Sequence, residues 1–220
     1  EDVTERSIPG IVANPNCSTI QMVVALKPLH DLFVINRIDV TTFQAVSGTG
    51  RLAQDELTNQ IKDQMSGETP SPQIYNKQIA FNVLPHCDDF EPNGFSKEEM
   101  KIIWETHRIL NPNIEIAATC VRVPVLNGHS QSVHIETREP LNIDVVKECL
   151  NEAAGVKLVK GMGSESYPTA LEVDRTNPVH VGRVRLDLWN KNRVNLWIVA
   201  DNLRKGAALN SIQIAEIHFS

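Results

Sequence analysis

The chain has 220 residues, of which 41% are hydrophobic and 22% are charged, and its formal net charge is −6. This length and apolar content are typical of one large globular domain with a buried core. The acidic balance, without any basic run, argues against nucleic acid as a partner, and the lack of a long apolar run argues against a membrane span.

Apolar periodicity predicts alternating helices and strands along the chain. The first is a helix with an apolar stripe from Ile20 that is bent or ends near Pro28. It is followed by a strand over 38–45, a helix over 52–65, a loop over 66–78, a strand over 79–84 and a helix capped by Ser96 that runs to Leu110. The later elements are strands over 114–125 and 131–137, a helix over 144–153, a hairpin of strands 181–189 and 193–200, and a final helix over 203–214.

Long strands outnumber tight strand–helix–strand units in this order of elements. We therefore predict an α+β (α/β) fold with one mixed, mostly antiparallel sheet that carries its helices on one face. A large apolar sheet face is unstable in contact with water, so we expect the other face to pair with a second copy of the chain.

Four cysteines, Cys17, Cys87, Cys120 and Cys149, are scattered without the C-x-x-C spacing of zinc or redox sites. We therefore expect free thiols, no bound metal and a cytoplasmic protein. The acidic stretch 86–89 around Cys87 lacks a second cluster of ligands and is predicted to be a polar loop.

A cysteine stands where a short apolar run leads into the first helix, in the stretch Asn14-Pro15-Asn16-Cys17-Ser18-Thr19-Ile20. Ser18 or Thr19 can cap that helix. A thiol at a helix N-terminus lies at the positive end of the helix dipole, which favours the nucleophilic thiolate. The motif indicates covalent acyl chemistry at Cys17, and a buried cysteine that acts as a small hydrophobe is the alternative.

A second motif, residues 122–130, places an arginine at a strand end and a histidine after a glycine-bearing loop. The valines on either side of Arg122 alternate, so Arg122 points away from their apolar face. Its guanidinium can bind a carboxylate through two parallel hydrogen bonds. His129 has an unperturbed pKa near neutrality, which suits a general acid/base, and a solvated loop histidine is the alternative.

These motifs, with several others in the same order, resemble the aspartate-β-semialdehyde dehydrogenase family closely. The matching stretches are Asn16-Cys17-Ser18-Thr19, residues 42–50, 81–85, 96–101, 105–110, 120–125, 128–130 and 200–208. The resemblance extends from about Pro9 to the end of the chain. It implies the catalytic-domain fold of the glyceraldehyde-3-phosphate dehydrogenase/semialdehyde dehydrogenase superfamily, and a homodimer.

The resemblance also implies an activity in lysine, methionine and threonine biosynthesis. The family reduces L-aspartyl-4-phosphate to aspartate semialdehyde and phosphate with NADPH. Cys17 would form a thioester and His129 would protonate the hemithioacetal. The other implied site residues are Asn16, Gln44, Glu98, Lys101 and Arg122 for the substrate, and Ser47, Gly48 and Asn202 for the cofactor.

Among these residues, Gln44 would also position the nucleophile, Glu98 would bind the substrate ammonium, Lys101 the phosphate and Arg122 the α-carboxylate. From the pattern alone, Glu98, Lys101 and Glu105 favour a solvated helix face with ion pairs, and Asn202 favours a helix cap.

No G-x-G-x-x-G dinucleotide-binding fingerprint occurs in the chain. We expect residues 1–16 to lead from an NADP-binding domain outside this sequence, 17–202 to form the catalytic and dimerisation domain, and 203–220 to return to the NADP-binding domain. The chain alone is then expected to be inactive. The alternatives are an N-acetylglutamyl-phosphate reductase type, with glycine before the cysteine and an aromatic residue after it, and a non-catalytic dimerising paralogue.

Overall fold

The structure, a computed structural model, describes residues 11–161, 163–164 and 166–219, so most of the expected lead-in 1–16 lies outside the described residues. The helices are α1 (Cys17–Phe33), α2 (Arg51–Ser66), α3 (Lys97–Ile109), α4 (Ile143–Glu152), α5 (Ala170–Val173) and α6 (Leu209–Phe219). The strands are β1 (Ile35–Gln44), β2 (Glu115–Arg122), β3 (His129–Thr137), β4 (Val156–Leu158), β5 (Val179–Leu186) and β6 (Arg193–Ala200). None of the helices in the described ranges is long and apolar enough to cross a bilayer.

The six strands form one sheet in the order β2-β1-β3-β6-β5-β4. The pairs β1–β3, β3–β6 and β5–β6 are antiparallel, whereas β1–β2 and β4–β5 are parallel. The predicted mixed, mostly antiparallel sheet is confirmed. Its register sets Gln44 opposite Arg122 and His129 opposite Ala200. The last residues of β1, β2 and β6 therefore meet the first residue of β3 at one end of the sheet.

The core lies between the sheet and the helices α1, α3 and α4. Helix α1 packs across β1, β3, β5 and β6, with α3 beside β2 and α4 beside β4 and β5. Leu26, Leu29 and Phe33 of α1 are buried on either side of Pro28, so α1 runs through the proline, where the sequence predicted a bend or an end of the helix. Burial of these side chains offsets the cost of the missing N–H, which is about 3 kcal/mol.

The opposite face of the sheet carries half-exposed side chains. Thr41, Ser132 and Trp197 form one row across β1, β3 and β6, and Phe43 lies 5.6 Å from Trp197 between ring centroids. The face is thus an aromatic pair among hydroxyl and charged side chains, whereas an apolar face was expected.

Two local predictions are wrong, and two short elements were missed. Residues 79–84 form a turn, in which Leu84 alone pairs with Arg122, where a strand was expected. The final helix is divided into a π-helical turn (Arg204–Ala208) and α6. The strand β4 and the short helix α5 were not predicted.

Candidate active site

Asn16 caps the helix that begins with Cys17. Its Oδ1 accepts hydrogen bonds from the backbone N–H groups of Ser18 and Thr19, at 2.9 and 3.3 Å. The sequence assigned this role to Ser18 or Thr19, but their hydroxyls are buried and have no hydrogen-bond partner within the described part of the chain. The cap is therefore asparagine, and it fixes the first turn of α1 from the residue next to the thiol.

A buried carboxylate joins the helix α3 to this cap. Oε1 of Glu98 accepts from Asn16 Nδ2 at 2.9 Å and from Gln44 Nε2 at 2.8 Å. Gln44 is oriented in turn by Thr42, whose Oγ1 donates to Gln44 Oε1 at 3.0 Å. Glu98 is only 8% exposed, so the solvated-face interpretation is wrong for this residue.

Lys101 lies at the outer edge of the same group. Its Nζ is 2.7 Å from Asp88 Oδ2 and 3.7 Å from Glu98 Oε2. The hydrogen bond with Asp88 raises the pKa of Lys101 and lowers that of Asp88. The ammonium is therefore charged and partly exposed, which leaves it accessible to an anion.

Arg122 and His129 are buried together at the end of the sheet. Arg122 Nη1 donates to the carbonyl oxygen of Ala45 at 2.7 Å, and the backbone N–H of Ala45 donates to His129 Nδ1 at 3.1 Å. Burial and the nearby guanidinium of Arg122 lower the pKa of His129 to about 3. The ring is neutral, and because Nδ1 accepts, the proton is assigned to Nε2.

The backbone of Gly48 covers this pair. A Cβ at residue 48 would lie 3.1 Å from Arg122 Nη1 and 3.2 Å from His129 Nε2, so a side chain here would crowd both groups. His129 Nε2 has no partner among the described residues. The glycine therefore allows the backbone of the 3-10 turn Val46–Thr49 to approach the two side chains.

Ser47 and Asn202 form a buried link beside Gly48. Asn202 Nδ2 donates to Ser47 Oγ at 2.9 Å, and Asn202 Oδ1 accepts from the backbone N–H of Gly128 at 2.9 Å. Asn202 thus joins the 3-10 turn to the loop before β3. The three residues assigned to the cofactor thus lie close together. The sequence suggested that Asn202 caps the following helix, but it is Asp201 that accepts from the N–H groups of Leu203 and Arg204.

Two glutamines and one glycine at this site were missed by the sequence reasoning. Gln131 Nε2 donates to the carbonyl of Ser18 at 2.8 Å, and Gln21 Nε2 donates to the carbonyl of His129 at 3.3 Å. Both glutamines are fully buried and tie the first turn of α1 to β3. A Cβ on Gly206 would lie 2.9 Å from Cys17 Cβ, so the π-helical turn packs directly on Cys17.

The pKa of Cys17 moves opposite to the sequence prediction. Burial raises the pKa of the thiol to about 12, and the carboxylate of Glu98 raises it further than Arg122 lowers it. The thiol is half-buried. Desolvation of the charged form outweighs the helix terminus, so Cys17 is a thiol near neutral pH in this chain.

Alkylation of Cys17 by iodoacetamide should therefore accelerate about tenfold per pH unit, without a plateau between about pH 7 and pH 10. Glu98→Gln keeps an oxygen acceptor for Asn16 and removes a negative charge. It should lower the pKa of Cys17, so that alkylation is faster at each pH. Mass spectrometry of each cysteine measures the rates, with half-buried Cys149 as the internal control. A Cys17 rate that stays the same or falls in Glu98→Gln would contradict the assignment.

No group of three or more histidine, cysteine, aspartate or glutamate side chains in the described ranges could hold a metal ion. The site therefore offers a thiol, a neutral imidazole, a buried guanidinium and a carboxylate. These groups can bind a zwitterionic substrate and form a covalent bond to an acyl carbon.

Comparison with known proteins identifies the family. The sequence profile described as "Semialdehyde dehydrogenase, dimerisation domain" matches residues 26–205. An aspartate-semialdehyde dehydrogenase of Legionella pneumophila is 52% identical over 218 residues, which are 98% of this chain and 62% of that protein.

Two solved structures give the same result. Aspartate semialdehyde dehydrogenase II from Vibrio cholerae, complexed with ASA, has a TM-score of 0.90 at 48% identity, and the alignment covers 94% of this chain and 61% of that chain. Aspartate semialdehyde dehydrogenase with NADP from Candida albicans has a TM-score of 0.69 at 26% identity, and the alignment covers 94% of this chain and 57% of that chain.

The fold is that of a semialdehyde dehydrogenase dimerisation domain, with the candidate site at one end of its sheet. The chain belongs to the semialdehyde dehydrogenase family. It spans about 62% of the length of the curated relative from Legionella pneumophila.

Proposed function

We propose that this chain is the catalytic and dimerisation part of an NADP-dependent aspartate-semialdehyde dehydrogenase. The observation that carries the proposal is the buried group around Cys17. Glu98 contacts Asn16 and Gln44, while Arg122 and His129 share the backbone of Ala45. The names of the relatives and of the solved neighbours support this activity.

The charges of the site suit a substrate with separate ammonium, carboxylate and phosphate groups. Glu98 would accept the ammonium and Arg122 would hold the α-carboxylate through its planar fork. Lys101 would bind the phosphate. The phosphate would have to share the Lys101 side chain with Asp88 or displace Asp88 from it. Asn16 and Gln44 would hold Glu98 in place.

The covalent step then takes place at Cys17. Its sulfur forms a bond to the acyl carbon of L-aspartyl-4-phosphate, the bond from that carbon to the phosphate oxygen breaks, and the thiol proton leaves to phosphate or water. The product is a thioester, which is a better hydride acceptor than a carboxylate.

His129 would stabilise the oxygen that gains negative charge. The Ala45 N–H occupies Nδ1, so the neutral ring presents an N–H at Nε2. A neutral donor of this kind supports a developing oxyanion without a prior proton transfer. The structure thus favours hydrogen-bond donation by His129 at the hemithioacetal oxygen over removal of the thiol proton.

Ser47, Gly48 and Asn202 fit one edge of a nicotinamide site. The backbone of Gly48 lies close to Arg122 and His129 because residue 48 has no Cβ, and Asn202 holds the neighbouring turn. NADPH, when bound, supplies the hydride. We place its pyrophosphate and adenosine on the part of the enzyme outside this sequence. The free cysteines support a location in the reducing cytoplasm.

An activity assay of the full-length enzyme that contains this chain tests the proposal. We expect NADP reduction with aspartate semialdehyde and phosphate, and none by the chain alone. The alternative, N-acetylglutamate semialdehyde, has no ammonium to pair with Glu98, so it should be turned over poorly. A preference for the N-acetylated substrate, or no activity with either, would overturn the proposal.

The open face of the sheet is the proposed dimer interface, and we expect the chain to sediment as a dimer. Ser132 is exposed at the centre of the row formed with Thr41 and Trp197. Ser132→Arg should shift the chain to monomer, because a charge there would be buried against the partner. Asn59→Arg, on the exposed surface of α2, is the matched control and should leave the dimer intact. A wild-type monomer, or a dimer that tolerates Ser132→Arg, would exclude this interface.

A further inference from the structure

Glu105 contacts the segment that carries the nucleophile. It lies two turns beyond Glu98 on α3, and its Oε2 accepts a hydrogen bond from the backbone N–H of Asn16 at 2.8 Å. The pattern of the sequence placed Glu105 on a solvated face, but the residue is half-buried against the cap of α1.

A hydrogen bond from the backbone N–H of a cap residue to a glutamate also occurs in α3 and α5, but there the glutamate belongs to the same helix as the cap. The N–H of the cap residue Ser96 donates to Glu99 at 2.8 Å, and that of Thr169 donates to Glu172 at 2.9 Å. Both glutamates stand three residues after their cap, which is the spacing of a capping box.

In α1 the residue three after the cap is Thr19, whose side chain is not a carboxylate. Glu105 accepts the hydrogen bond from the backbone N–H of the α1 cap, as Glu99 does for the cap of its own helix α3, but Glu105 belongs to a different helix from the cap that it contacts. The capping box of α1 is therefore completed across a helix–helix contact.

This arrangement engages every polar group of Asn16. Its backbone N–H donates to Glu105 and its side-chain N–H donates to Glu98. Its side-chain oxygen accepts from two N–H groups of the first turn, and its backbone carbonyl accepts from the N–H of Ile20 at 2.9 Å. The position of Cys17 is thereby tied to α3, the helix that also carries Glu98 and Lys101.

We propose that Glu105 is a positioning residue, which holds the nucleophile in register with the substrate-binding side chains of α3. This role rests on the proposed function. Its physical basis is that a displacement of the reacting sulfur by about 1 Å can cost a factor of about 100 in rate. Glu105 needs only an acceptor oxygen for this role, whereas Glu98 needs its charge to bind an ammonium.

The test compares Glu105→Gln with Glu105→Met in the full-length enzyme. Glutamine keeps the acceptor and should keep kcat within about threefold of wild type. Methionine has a similar length without an acceptor and should lower kcat about 10- to 100-fold, with KM for aspartate semialdehyde nearly unchanged. Glu98→Gln, in parallel, should raise KM.

Glu99→Met is the structural control, because it removes two carboxylate–backbone bonds of α3, to Ser96 and Cys120. It should lower the unfolding temperature and leave kcat of the folded enzyme close to wild type. Equal losses in Glu105→Gln and Glu105→Met, no loss in Glu105→Met, or an equal loss in Glu99→Met would each overturn the positioning role.

The alkylation rate of Cys17 separates this proposal from the proposed activity. Glu105→Met should loosen the first turn of α1 and accelerate alkylation of Cys17 relative to Cys149, whereas Glu105→Gln should not. This result would support the positioning role even if the wild-type enzyme does not act on aspartate semialdehyde. An unchanged ratio in Glu105→Met would count against it.

Discussion

Cys17→Ser should abolish turnover in the full-length enzyme, with a loss of about 1,000-fold or more in kcat. A serine hydroxyl is far less acidic than the Cys17 thiol, even though burial raises the pKa of that thiol. His129 is a poor base for it, because its Nδ1 already accepts from Ala45 and its Nε2 carries the proton. The two side chains have nearly the same volume, so the fold should persist.

Steady-state NADP reduction measures the loss, and circular dichroism with a thermal melt verifies the fold. Cys149→Ser, at a half-buried thiol on α4 away from the site, is the matched control and should retain activity. Activity of Cys17→Ser within tenfold of wild type would remove Cys17 from the role of nucleophile.

Arg122→Lys should lower kcat/KM for aspartate semialdehyde by roughly 10- to 100-fold, through both a higher KM and a lower kcat. Arg122 uses Nη1 to hold the carbonyl of Ala45, which leaves the rest of the fork for a carboxylate. Lysine offers one ammonium for both tasks, so either the backbone of Ala45 or the substrate loses its partner.

The pH profile of the same variant provides a second measurement. Arg122 lowers the pKa values of both Cys17 and His129 by its charge. Lysine keeps that charge, so the pH dependence should change little while the kinetic constants change. Arg51→Lys, which keeps the charge in an exposed ion pair with Asp55 on α2, is the control and should leave the kinetic constants unchanged. Unchanged kinetics in Arg122→Lys would show that one point charge is sufficient.

The sequence singled out the candidate site residues, but not the contacts that surround them. Cys17, Arg122 and His129 follow from local motifs, and Gln44, Glu98 and Lys101 follow from resemblance. Glu105 could not be found in this way, because its partner lies 89 residues away along the chain. The pKa of Cys17 was predicted in the wrong direction, since burial depends on packing that no local pattern shows.

The errors in the fold have the same physical origin. Residues 79–84 alternate like a strand, yet Phe81 is 67% exposed and Val83 is 59% exposed, so their apolar side chains do not mark a buried face. Pro28 predicts a bend or an end of the helix, and packing on the sheet carries α1 through it to Phe33. The sheet itself was predicted, because alternation in long strands is set by burial on one face.

The contact between Gly206 and Cys17 has a consequence for biosynthesis of the polypeptide. The segment around Cys17 leaves the ribosome before its packing partner in the π-helical turn, which is made almost 200 positions later. Asn14 likewise bonds to Ala207 and Asn210, the latter 196 positions away. In a nascent chain that lacks this turn, the packing partner of Cys17 is missing. The surroundings of Cys17 are therefore complete only after the segment 204–210 has been synthesised.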